Sequence, residues 1–548
     1  MTDEVSAPSL PAVTASRRTF LKAAAWGAGG IGLTSLLAAC GGNAATSASG
    51  DTLILRMPFL ADMQVPDPDI MYEGEGAQLM NAVYEGLAQY RPGSAEIIPR
   101  LADSWEISPD LLTYTFKLKP GVKFHDGSVA DAEAWVKSFQ RRKEINEGPA
   151  YMVAGVVNME APDPTTFVVT LDAPNNAFLH YMACPWHPFA VSPAAVTENA
   201  GGGDPFAQEW LKTHDAGTGP YVISEFVPGS HYLLERFDDY WGGEVTFEAI
   251  RIQIVPDVAS QKLQLDQGAF EMVTKGLLIP DVLAYQDNDQ FNVPVTVGGS
   301  GNAIWLNPNR EIFADKALRQ AFLSAVDRTT IVDTAFGGLV EPYKAMWYEE
   351  MFPPELVEVP WAAGVDTEPL KALVAALPDK NVDLGAVAEG GAPVMQMAEL
   401  LQTQLAALGF EATVRQIPTA QVFDLVNQPQ ASRPDMMVAW LGGDALHLDT
   451  LLRILLHTDA KPLNLFSYSY PDIDALMDKA TQQRTPEEMN AVYADITRRI
   501  IDEAIWVPLC ATPAPIVAAK SITGIEQDSY YPIVVDASKL TTADAAGA

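Results

Sequence analysis

Only three cysteines stand among the 548 residues, so at most one intramolecular disulfide can form. Basic residues are also scarce: 35 Lys and Arg face 70 Asp and Glu, for a net charge of −35 and a pI near 4.4. A chain this acidic is repelled by a phosphate backbone, which excludes nucleic acid as a partner. Its commonest meaning is a solvated surface that stays soluble. There is no GxxxxGK[ST] phosphate loop and no GxGxxG opening a helix. Gly298-Gly299-Ser300-Gly301-Asn302 is not a GxSxG nucleophile elbow, because Asn302 fills the last place. Carboxylates are so widespread that no pair stands out as an acid–base couple. No fixed-period repeat is present, which argues against a solenoid or propeller. These absences disfavour an enzyme, and no residue is assigned a catalytic role.

What is present points to a folded, exported chain. A hydrophobic fraction of 48% and a mean hydropathy of +0.04 exclude a disordered chain. The length suits roughly three or four domain-sized pieces. Near the N-terminus, Ser16-Arg17-Arg18-Thr19-Phe20-Leu21-Lys22 precedes a Gly- and Ala-rich apolar stretch ending in Leu37-Ala38-Ala39-Cys40. That stretch is too short and too Gly-rich for a membrane span, which needs about 20 apolar residues. The Arg pair resembles a twin-arginine export signal, and the last four residues resemble a bacterial lipobox, whose Cys receives lipid. Residues 1–39 therefore read as a signal peptide, Cys40 as a lipid anchor and 40–50 as a flexible tether. The expected location is the periplasmic or extracellular face of the cell membrane.

With Cys40 committed to lipid, Cys184 and Cys510 remain in an oxidising compartment, either as a disulfide or as two buried thiols. His180, Cys184 and His187 are residue types that suit zinc, but no second ligand cluster accompanies them. Ordinary packing is the reading taken, with no metal and no cofactor.

Mixed α and β patterning fills the rest. Thr113–Leu118 alternates at period two, and Phe167–Leu171 and Ile250, Ile252 and Ile254 read as further strands. Ser128 to Asp131 opens a helix with Trp135, Val136 and Phe139 on one face, and Arg141, Arg142 and Lys143 suit its C-terminal end. Leu318, Phe322 and Val326, then Val394, Leu401 and Leu405, mark two later helices. Thr485-Pro486-Glu487-Glu488 is a capping box.

Several segments in order resemble the bacterial extracellular solute-binding proteins of family 5. They are Tyr84-Glu85-Gly86-Leu87, Leu101 to Ser108, Leu118 to Gly127 (LKPGVKFHDG), Gly217-Thr218-Gly219-Pro220-Tyr221, Asp239 to Gly243 and Arg319 to Arg328. The resemblance runs from about Thr52 to Gly524. It implies an α/β, two-lobed periplasmic-binding-protein-like fold of type II, with an extra subdomain in lobe I. Lobe I would be 51–302 with the subdomain near 89–190, lobe II 303–509, and 510–548 the return to lobe I. The implied function is an ABC-importer receptor that captures a small solute, a peptide or peptide-like molecule, between its lobes. The implied partners are that ligand and a membrane permease complex, with the receptor a monomer. The alternatives are a ligand sensor signalling to a membrane partner and a receptor for a metal chelate or sugar.

In similar peptide receptors a Trp-x-x-Asp segment sets a carboxylate against the peptide's α-ammonium. Here Trp440 is followed by Asp444, one residue later than that pattern, and then by His447. Met395 and Met437 stand where related receptors carry Arg, which suggests a less anionic or more apolar solute. Trp305 and Asn307 complete the expected ligand-binding set.

Overall fold

The computed structural model describes residues 53–388, 392–460 and 463–543. The signal segment, the tether and Cys40 lie outside the described residues.

One lobe is organised on a four-stranded sheet. Ile54–Phe59 runs parallel to Ala249–Ile254, which pairs antiparallel with His231–Arg236 and, through it, with Tyr221–Val227. In Ala249–Ile254 the isoleucines at 250 and 252 are buried while Arg251 and Gln253 face solvent, the alternation a half-covered strand requires. An antiparallel sheet of Ala102–Ile107, Thr113–Leu118, Thr166–Leu171 and Val156–Asp163 lies within the span expected as a subdomain. The helix Ala132–Ile145 backs it. Asp131 caps this helix by accepting from the Ala134 N–H, and Phe139 packs edge-on against Phe167 of the sheet.

The other lobe holds a five-stranded sheet in the order Glu411–Pro418, Asn381–Ala388, Met436–Leu441, Val295–Leu306, Trp506–Pro515. Asn381–Ala388 is parallel to both of its neighbours, whereas Val295–Leu306 is antiparallel to both of its own. The expected helices form as Lys316–Ala325, Ala392–Ala407 and Pro486–Glu503, the last capped by the Thr485 hydroxyl on the Glu488 N–H. The expected lobe boundaries fall inside the long paired strands Val295–Leu306 and Trp506–Pro515.

Two expectations are corrected here. Cys184 and Cys510 are free and buried, so the bridge drawn between them is not formed. The Cys184 thiol packs against Met152 Sδ at 3.8 Å, while Cys510 lies in a strand opposite Asn302. Trp305, Asn307 and Met437 have no solvent-exposed surface and belong to the packed sheet, not to a ligand surface. Trp305 donates to the Trp440 carbonyl and packs on Trp506, and Asn307 donates to the Pro434 carbonyl.

Candidate functional site

The strand Met436–Leu441 ends in a tight loop, Gly442 to His447, that faces the opposite lobe. Gly443 is required there: a Cβ would lie 2.5 Å from the backbone of Thr450. The Thr450 hydroxyl lies within hydrogen-bond reach of the carbonyls of Ala445 and His447 and fixes the loop from beneath. At its apex stands Asp444, only 8% exposed.

Its carboxylate has an uneven environment. Oδ2 accepts from the Tyr72 hydroxyl at 2.6 Å and from the Tyr151 hydroxyl, both from the other lobe. Among the described residues no hydrogen bond reaches Oδ1, and no Lys, Arg or His forms an ion pair with either oxygen. Burial pushes the carboxyl above its ordinary range, and the two hydroxyl bonds only partly offset this. Burial and the nearby carboxylate together push Tyr72 and Tyr151 well up, so both remain proton donors.

The tyrosines belong to an aromatic wall. Tyr72 packs edge-on against Trp186, with centroids 5.7 Å apart, and against Tyr151 at 6.3 Å. Tyr151 meets Tyr181, and Trp186 meets Tyr530 and Tyr531. Tyr72 and Tyr151 are 36% and 38% exposed although their hydroxyls end on a buried group. Exposed aromatic faces beside a buried, unpaired charge are the kind of surface a folded protein keeps for a ligand.

Further contacts between the lobes frame this site. The Leu446 N–H donates to the Tyr90 hydroxyl at 2.9 Å, and that hydroxyl lies 3.1 Å from His180 Nδ1. The His180 and His447 rings are 4.9 Å apart across the lobe junction. His447 accepts from the Asp449 N–H and so caps the helix Leu448–Leu455. Burial pulls His447 down to about 4 and His180 well below its ordinary value, so both are neutral at pH 7. The Tyr530 hydroxyl donates to the Gly443 carbonyl, and Asn176 bonds to the carbonyls of Ala480, Thr481 and Gln483.

Of the residues singled out in the sequence, the structure brings Asp444 and His447 to the lobe junction. Trp440 is half-buried beside Phe423, and Met395 is half-buried on its helix. Sequence reasoning missed Tyr72, Tyr151, Trp186 and Tyr530. The signal available was local aromatic density, in Cys184-Pro185-Trp186-His187 and Ser529-Tyr530-Tyr531-Pro532. Among the described residues no group of three or more His, Cys, Asp or Glu is placed to hold a metal ion.

A buried carboxylate with a free oxygen and no counter-ion favours a cation brought from outside, and surrounding aromatic faces reinforce that preference.

The profile of bacterial extracellular solute-binding proteins, family 5 Middle, matches residues 96–462. The glutathione-binding protein GsiB of Pectobacterium atrosepticum is 26% identical over 473 residues, covering 84% of this chain and 88% of its own. The ABC transporter substrate-binding protein CtaP of Listeria monocytogenes superposes with a TM-score of 0.79 at 23% identity, over 90% of this chain and 99% of its own. The periplasmic binding protein DppA of Helicobacter pylori, solved with the peptide STSA, gives 0.74 at 21% identity, over 90% and 98%.

Proposed function

Because the chain belongs to the bacterial extracellular solute-binding proteins of family 5, we propose that it is the substrate-binding receptor of an ABC importer and takes a small amine-bearing solute, a peptide or peptide-like molecule. The observation that carries this is Asp444, whose Oδ1 is left without a protein partner at the junction of two lobes. An ammonium supplies both the missing charge and the missing hydrogen-bond donors. A solute touching both lobes is bound in full only when they are together, so it shifts the population toward the closed form that a permease distinguishes from the open one. The glutathione-binding relative and the STSA-bound structure support the peptide class. Met395, standing where a candidate arginine is expected, supports a solute whose carboxylate is not the main handle.

The receptor works outside the cytoplasmic membrane, tethered through lipid on Cys40. The support is the order of the twin-arginine and lipobox motifs in residues 16–40. Cys40→Ser should release the protein from the membrane fraction and change its mature mass. Unchanged fractionation and mass would remove the anchor.

The solute class is tested by thermal shift with di- and tripeptides, each as the free amine and as its N-acetyl derivative. A solute at a hundredfold excess over Kd stabilises by about 2.7 kcal/mol, so a hit is easily seen. Free amines should shift the melt and acetylated partners should not. Equal shifts from both forms would overturn the ammonium reading.

A further inference from the structure

The pair Arg141-Arg142 reads in the sequence as charge complementing a helix C-terminus, yet both side chains are buried. Arg141 bonds to Asp67 through two nitrogens at 2.8 and 2.6 Å, and to Asp69 at 2.6 Å. Arg142 is fully buried and reaches three acceptors: Asp69 Oδ1 at 2.8 Å, the Pro68 carbonyl at 2.9 Å and the Trp186 carbonyl at 3.0 Å. Those acceptors lie on the segments that carry the cleft aromatics. Asp67 to Ile70 leads directly into Tyr72, and Trp186 packs on Tyr72. The helix bearing the two arginines ends at Asn146, in a left-handed conformation with φ 54°, and the next turn, Gly148–Val153, carries Tyr151. Gly148 is needed at that corner, with φ +47° and a Cβ position 2.6 Å from the Ile70 carbonyl. One guanidinium thus joins the supports of Tyr72 and Trp186, and the helix that carries it leads into the turn bearing Tyr151, whose Gly148 abuts the Ile70 carbonyl.

We propose that Arg142 is a positioning residue for the ligand site: it sets Tyr72 and Tyr151 together at the distance where both hydroxyls meet Asp444 Oδ2, leaving Oδ1 for the solute. A planar fork with five fixed donors can bind acceptors on separate segments at once, and a lysine cannot reproduce that geometry. Arg142 touches no solute in this account and acts only through the two tyrosines.

The proposal deepens the reading of the junction as a solute site, so its test uses no solute and remains decisive if the peptide screen fails. Spin labels on Val157→Cys and Val365→Cys, exposed positions on opposite lobes, report the interlobe distance in the ligand-free full-length protein. Arg142→Lys should lower the ratio of closed to open molecules roughly tenfold. The same change in a Tyr72→Phe/Tyr151→Phe background should add almost nothing, because the groups it positions no longer donate. Asp69→Asn, which removes charge from the other side of the clamp, should behave alike and covers the case in which Arg142→Lys folds poorly. A purely structural role would lower the ratio equally in both backgrounds. Equal effects, or no effect of either variant on the ratio, would overturn the proposal.

Discussion

Asp67 and Asp69 lie behind the aromatic wall and Asp444 in front of it, and the two environments are built in opposite ways. The two rear carboxylates meet two guanidiniums in a closed network of charge-assisted bonds. Asp444, 8% exposed where they are almost wholly buried, is met only by neutral hydroxyls. A compensated charge is part of the scaffold, since each carboxylate already has a guanidinium partner. An uncompensated one weakens the isolated protein and strengthens whatever complex supplies the missing charge. The difference is what marks Asp444 for the proposed site, more than its residue type does.

Breaking the rear network should have the largest effect. Arg142→Met strands Asp69 and should cost about 3–5 kcal/mol in urea unfolding, as removal of one member of a buried pair does. A loss under about 1 kcal/mol would mean that the network is less tightly compensated than its geometry indicates.

Acid should come next, through two buried histidines, His447 at the front site and His187 beside Phe189. His447 is held near 4 and His187 near 3 by burial, so neither takes up a proton in the folded state until well below its ordinary value. The unfolded chain does so near pH 6.5. This contribution is therefore complete above about pH 6.5 and is lost as pH falls toward 4, with His447 accounting for ~3 kcal/mol. His447→Gln should flatten that limb of a stability–pH curve. An unchanged limb would place the acid sensitivity elsewhere.

Smaller still, Tyr72→Phe or Tyr151→Phe removes one hydroxyl from Asp444 and should cost about 1–2 kcal/mol of interlobe association. Small-angle scattering of the ligand-free protein should show a larger mean radius for the double variant. An unchanged radius would separate these hydroxyls from closure.

Much of the fold is legible in the sequence because it rests on local rules. The alternation in Thr113–Leu118, the Thr485 cap on the Glu488 N–H and the helix opened by Asp131 form as their patterns require. The site is legible only in part. Asp444 lies near an expected motif, but its environment is assembled from Tyr72, Tyr151, Trp186 and Tyr530, brought together across as many as 458 positions by packing that no local pattern records. Trp305 illustrates the opposite failure: an aromatic residue in the right lobe is indistinguishable by spacing from a ligand contact, yet it lies wholly inside the sheet. Arg141 and Arg142 suited a solvated helix end and proved buried, because their carboxylate partners lie more than 70 residues earlier.

The most direct test of the contrast is equilibrium unfolding of ligand-free Asp444→Asn beside wild type at pH 7. The amide keeps an oxygen to accept from Tyr72 and Tyr151 and removes only the uncompensated charge. Stability should stay level or rise by about 1 kcal/mol, opposite in sign to Arg142→Met. A loss of several kcal/mol would show that Asp444 is already compensated within the protein and would contradict its assignment to an incoming cation.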